Sequence, residues 1–188
     1  MACSRTVLFY CLLLLACVWP MDKAKAEQLV LKDLVLDNVA GNIQLGYGIT
    51  VQDAQELYSY LDDGLVLEME CTAKLIRNRR WWRDSVLQEQ TLVFELKNQL
   101  LQGEYSLKKE GSQNVQKDQD LAELLQEQWS EIRIDLGDWS QLEPDNDYSV
   151  ELSVHLKRSN VPLWLKRSLF FWSWDVMPEQ NYRMDFSY

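Results

Sequence analysis

Between residues 64 and 84 the chain reads GLVLEMECTAKLIRNRRWWRD, and the first half of that stretch alternates strictly. Leu65, Leu67, Met69, Cys71, Ala73 and Leu75 point one way, while Glu68, Glu70, Thr72 and Lys74 point the other. A period of two is the mark of a half-buried β-strand. The alternation then breaks into Arg77, Arg79, Arg80, Trp81, Trp82 and Arg83, the densest positive charge in the chain. The spacing predicts a long central strand that leaves its core and presents an arginine/tryptophan patch.

The same reading extends along the chain. Residues 29–36 (LVLKDLVL) form an opening strand, and Ile43, Leu45, Tyr47, Ile49 and Val51 alternate into a second, with Gly41 in a hairpin turn between them. Gly46-Tyr47-Gly48 lies inside this strand pattern without a further glycine. That fits close backbone packing or a bulge better than a dinucleotide site. Val51, Ala54, Leu57, Tyr58 and Leu61 recur at helical spacing and predict a helix over 51–62, capped by Thr50 and ended by Gly64. Residues 86–96 return as the antiparallel partner of the central strand, which puts Trp81 and Trp82 at or beside a hairpin end. Tyr105 and Leu107 mark a short strand, and the polar window 108–120 a loop or frayed strand pair. Leu121, Leu124, Leu125 and Trp129 make one face of a second helix, over 118–129. Ile132, Ile134 and Leu136 alternate, and after a turn containing Pro144 so do Tyr148, Val150, Leu152, Val154 and Leu156. Residues 169–174 and 182–188 supply two closing strands. Short strands joined by turns predict a mainly β fold. The expected architecture is an antiparallel β-sandwich, immunoglobulin-like in general architecture, with two short helices covering a sheet end or edge.

The first 26 residues read as a leader. Arg5 precedes an apolar run over 7–19, Pro20 breaks it, and Ala24-Lys25-Ala26 supplies a small-x-small cleavage pattern. The run falls short of the roughly 20 apolar residues that a spanning helix needs. The expectation is a signal peptide over 1–26 and a single β-rich domain over 27–188, exported to the periplasm or cell envelope. Two alternatives would tie the chain to a membrane: lipidation of Cys17 in a Leu14-Leu15-Ala16-Cys17 box, or an uncleaved leader. Cys3, Cys11 and Cys17 fall in the leader, so Cys71 alone remains of the four cysteines. It has no internal disulfide partner, and its place on the apolar strand face assigns it to the core.

Composition changes the picture in two ways. At 47% hydrophobic and 26% charged, the 188-residue chain is globular, and its net charge of −10 makes nucleic acid a poor partner. Groups for catalysis are sparse. His155 is the one histidine, on the polar face of a strand, and no G-x-S-x-G nucleophile accompanies it. One Cys and one His beyond the leader exclude the usual zinc sets. Glu68 and Glu70 share a strand face, whereas paired glycosidase carboxylates come from different strands across a cleft. No enzyme activity, metal or cofactor is expected.

The arginine/tryptophan string is the strongest candidate. Guanidinium groups stack on indole faces and form bidentate pairs with carboxylates and phosphates. Arg77, Arg79, Arg80, Trp81, Trp82 and Arg83 therefore suit a docking surface for an acidic protein segment or for anionic lipid headgroups. The competing reading is structural: the arginines pair with some of the chain's 29 acids while the indoles plug the sandwich end. Trp172 and Trp174, two apart on one strand face, offer an aromatic platform for sugar, or core packing.

Taken together, residues 57–67, Arg79-Arg80-Trp81-Trp82-Arg83-Asp84, the short "L..AL" helix over 121–125, residues 161–165 and the ending 171–174 resemble the bacterial family "domain of unknown function 4390" over nearly all the chain after the leader. Val161-Pro162-Leu163-Trp164 departs from the family pattern in lacking a second proline, and the termini differ in length. The resemblance implies a periplasmic or envelope location, no assigned activity, and a two-component sensor kinase as a conceivable partner. The favoured expectation is a non-catalytic envelope binding or regulatory module using the Arg/Trp surface. The alternative is a carbohydrate-binding module or hydrolase using the Trp172/Trp174 platform. The first requires exposed Trp81 or Trp82 beside unpaired arginines.

Overall fold

The computed structural model describes residues 28–52, 54–159 and 176–188. The leader with Cys17, and the segment holding Trp172, Trp174 and the strand expected over 169–174, lie outside the described residues. In chain order the elements are β1 (Gln28–Val39), β2 (Asn42–Gln52), helix α1 (Gln55–Asp62), β3 (Leu67–Asn78), β4 (Ser85–Gln99), β5 (Glu104–Lys109), β6 (Val115–Asp118), helix α2 (Leu121–Trp129), β7 (Ile132–Asp138), β8 (Asp147–Arg158) and β9 (Gln180–Ser187). They form two sheets, one of three strands in the order β1-β2-β7 and one of six in the order β6-β5-β4-β3-β8-β9. Every pairing is antiparallel. This is the sandwich that the alternation predicts.

The period of two builds the core directly. Leu67, Met69, Cys71, Ala73 and Leu75 of β3 have no exposed surface. Beside them lie Tyr148, Val150, Leu152, Val154 and Leu156 of β8, also buried. Ile43, Leu45, Tyr47 and Ile49 of β2 and Ile132, Ile134 and Leu136 of β7 close over them from the small sheet. Cys71 is a core residue, and burial pushes its thiol up to about 11. Burial likewise raises the Tyr47 phenol, with Cys71 beside it. Along one margin the Tyr182 hydroxyl donates to Leu29 O and accepts from the Leu31 amide, both at 3.3 Å, so β9 is stitched to the edge of β1.

Local chemistry explains the boundaries. Ala40 and Gly41 both take positive φ (53° and 91°), the two-residue turn whose twist suits a hairpin, and the Asn38 side chain accepts from the Gly41 amide. Helix α1 starts later than its apolar spacing suggests. Thr50 does not cap it: Thr50 and Val51 are paired with Val30 and Leu29, because extending the β2 ladder satisfies their backbone groups first. The helix begins after Ala54, which makes no side-chain cap. Its end is as expected. Gly64 (φ 79°) donates to Leu61 O and Leu65 donates to Tyr60 O, the paired bonds of a Schellman motif. The second helix starts at Leu121 rather than 118, with Asp120 as its cap accepting from the Ala122 and Glu123 amides. Its apolar face (Leu121, Leu124, Leu125 and Trp129) is buried between the sheets.

Gly48 is a point of close approach. A methyl group there would lie 2.6 Å from the Ser130 carbonyl oxygen, backbone that cannot swing aside. Gly48→Ala should therefore lower the unfolding free energy by about 2 kcal/mol, measured by urea denaturation. Gly46→Ala, whose nearest neighbour would be Val35 O at 3.9 Å, serves as the milder control.

Candidate functional site

The site is the connection between β3 and β4. β3 is the one strand of the large sheet with both of its neighbours running the length of its core, and Arg77 is its last residue paired on both sides, with Ser85 and with Tyr148. Just before it, the register shifts at Leu75/Ile76 so that Leu87 is the extra residue on β4. Such a bulge bends and twists the ribbon and re-aims what lies beyond it. Beyond it lie residues 79–84.

The base of this hairpin is fixed by two polar clusters. On one side, the Asn78 amide donates to Ser149 Oγ at 2.7 Å, Ser149 Oγ lies 2.6 Å from Asp185 Oδ1, and Arg183 donates to Ser149 Oγ at 2.8 Å. Ser149 and Arg183 together hold the Asp185 carboxyl below the usual carboxylate range. On the other side, Arg77 pairs with Glu143 at 2.6 Å and its guanidinium stands 5.9 Å from the Tyr148 ring centre. Tyr148 is itself locked: its buried hydroxyl accepts from the Glu143 amide at 2.7 Å and donates to the Glu143 carbonyl at 3.2 Å. A tyrosine bonded back to the chain a few residues upstream is a familiar brace in β-sandwiches. Trp139 and Tyr188 meet edge-to-face at 5.7 Å at the same end.

The tip is a different environment. Arg79, Arg80, Trp81, Trp82, Arg83 and Asp84 are all exposed. Trp81 retains 87% and Trp82 81% of their accessible surface. Asp84 accepts the Arg79 amide at 2.9 Å, closing the loop across its neck. Among the described residues the Arg79, Arg80 and Arg83 guanidinium groups make no ion pair. The sequence places six residues in one patch, and the structure divides them. Arg77 is part of the base, bound to Glu143 and Tyr148, while the other five form the free tip. The plug reading therefore does not hold for Trp81 and Trp82. Trp172 and Trp174 lie outside the described residues.

The outer face of the large sheet shows what the tip is not. Lys157 bridges Glu68 and Glu70, so these two acids share one cation on the strand surface. Lys74 pairs with Glu89 at 3.1 Å and Arg183 with Glu151 at 3.0 Å. A depression of about 570 Å³ lies there, lined by Thr72, Ser153, Glu179, Asn181, Glu70 and the Lys74–Glu89 and Arg183–Glu151 pairs. His155 lies opposite Glu70 in the register. No group of three or more His, Cys, Asp or Glu side chains converges on a metal-sized space among the described residues. The sequence missed this depression, because cross-strand neighbours far apart in the chain make it.

Partial burial opposes the charge on Lys157, but its hydrogen bonds to Glu70 and Glu68 outweigh that and raise its pKa above the ordinary 10.5. A raised pKa stabilises the fold below the unfolded value, and that contribution is lost as pH climbs through the folded one. Lys157→Met should therefore be less stable than wild type at neutral pH, and the gap in urea midpoint should close as pH rises past the Lys157 value. A second pair of variants separates base from tip. Trp81→Ala with Trp82→Ala should leave unfolding free energy within about 0.5 kcal/mol of wild type, as for other surface changes. Tyr148→Phe, which strands the Glu143 backbone, should cost about 1–3 kcal/mol in the same urea titration.

A protein-family model described as "Domain of unknown function (DUF4390)" matches residues 26–185. No curated protein and no solved structure matches the chain.

Proposed function

Because this chain belongs to the DUF4390 family, a domain of unknown function, we propose its role from geometry: it is a non-catalytic binding or regulatory module of the bacterial envelope that docks through the 79–84 tip. The observation that carries this reading is the pair of outward indoles, 87% and 81% exposed, beside Arg79, Arg80 and Arg83, which make no ion pair among the described residues. The fold gains nothing from holding two tryptophans in water, since burial would stabilise each by a few kcal/mol. Trp and Arg are the residues that dominate binding energy at interfaces. The braced base supports the same reading, because a pre-ordered loop loses little entropy on docking. The partner is an anionic surface of the envelope, of which an acidic segment of a sensor kinase is the protein form. Export rests on the apolar run over 7–19 and the Ala24-Lys25-Ala26 pattern. No helix among the described residues is long and apolar enough to cross a membrane.

The test is a photo-crosslinking amino acid in place of Trp82, activated in living cells. A discrete adduct is expected, and Arg79→Ala with Arg80→Ala should remove most of it. An adduct whose yield ignores the arginines, or no adduct, would overturn docking through the tip.

A further inference from the structure

The tip is built for one kind of anionic surface in particular. Trp81 and Trp82 stand off the body of the sandwich, neighbours on a loop only six residues long. A specific protein–protein contact buries about 800 Å² on each partner, whereas an aromatic side chain supplies about 150–250 Å². One hairpin tip falls short of that patch. A lipid surface asks for no complementary patch: indoles settle at the headgroup level, and each arginine adds its own attraction to phosphate.

The surroundings agree. Val86 (52% exposed), Tyr188 (45%) and Val39 (40%) are exposed apolar and aromatic residues at the same end of the sandwich as the tip. Another exposed apolar tip lies at the β4–β5 turn, where Leu100 and Leu101 project. Its neighbourhood carries more acid than base: Asp62 is held there by Asn98 and Tyr105 with Asp63 beside it in the chain, while Glu104 is paired with Lys117 at 3.6 Å. An anionic surface repels that end. In a chain of net charge −10, Arg79, Arg80 and Arg83, which make no ion pair among the described residues, turn the tip toward an anionic surface against the exposed Asp84, Asp145 and Asp147 at the same end.

Resting on the docking role above, we propose that the 79–84 hairpin is a membrane-surface anchor. Trp81 and Trp82 enter the headgroup layer of an anionic phospholipid bilayer, and Arg79, Arg80 and Arg83 pair with its phosphates.

The experiment uses the chain purified from the envelope of expressing cells, in the form processed there. Vesicles with roughly a third phosphatidylglycerol in phosphatidylcholine are compared with phosphatidylcholine alone. Sedimentation should show binding to the anionic vesicles that weakens between ~0.1 M and ~0.5 M salt. Replacing Arg79, Arg80 and Arg83 with Gln should weaken it about a hundredfold, near fivefold for each charge. Leu100→Ser with Leu101→Ser should bind like wild type. Brominated lipid should quench wild-type tryptophan emission, and Trp81→Phe with Trp82→Phe should abolish most of that quenching, however the rest of the chain is attached. Equal binding by the arginine variant, loss of binding in the leucine variant, or unchanged quenching in the tryptophan variant would overturn the proposal. If vesicles fail while the position-82 crosslink still captures protein in an arginine-dependent way, the lipid assignment falls and docking stands. If both fail, both readings fall.

Discussion

The structure depends on the pairing of β3 on both of its sides. Its inner side chains are wholly buried and its outer ones are half-buried acids, threonine and lysine. A slip of one residue would turn Glu68, Glu70 and Lys74 into the core and Leu67, Met69 and Leu75 into water. Each aliphatic side chain of that size is worth about 1.5–3 kcal/mol in burial, so the slip is closed to the molecule. With register locked, the point at which the strand runs out of partners is locked too. That point is Arg77, and the tip begins immediately beyond it.

Charge follows the same boundary. Along β3, β8 and β9 the cations have partners: Lys74 has Glu89, Arg77 has Glu143, Lys157 has Glu68 and Glu70, Arg183 has Glu151 and Asp185, and Arg158 lies 4.7 Å from the Tyr60 ring centre. Cross-strand spacing makes such pairs nearly automatic, since opposite residues on one face stand about 5 Å apart. A hairpin end has no neighbouring strand to supply an acid. Arg79, Arg80 and Arg83 are left in solvent without an ion-pair partner among the described residues, although the chain carries more acids than bases. An ordered base beneath an unsatisfied tip is the arrangement of a contact surface, with conformational entropy already removed from the part that must be held still.

Much of this was legible in the residues alone. The alternation over 65–75 and 148–156 determined two strands and their buried faces, because a sheet that buries one side forces a period of two. Gly64 marked the end of a helix through capping chemistry that acts within a few residues. The Arg79–Asp84 string marked the site by charge density. The family resemblance covered the same span that the family match does. What acts locally could be read locally.

Other features had no decisive local signal. Val51 carries both the strand alternation with Ile49 and the helical spacing with Ala54, and Thr50 reads as a cap; the ladder with β1 claims both, and that ladder depends on residues some twenty positions away. Arg77 and Arg79 are chemically alike and two apart in the sequence. Only the fold makes one a brace and the other a free cation, by setting Glu143 and Tyr148 beside the first and open solvent beside the second. Trp129 is buried and Trp81 is exposed for the same reason. Composition determined that the chain would hold indoles and guanidinium groups in an acidic sandwich. Which of them face water was decided by where the paired strands end, since burial is a property of neighbours that the chain meets only after folding.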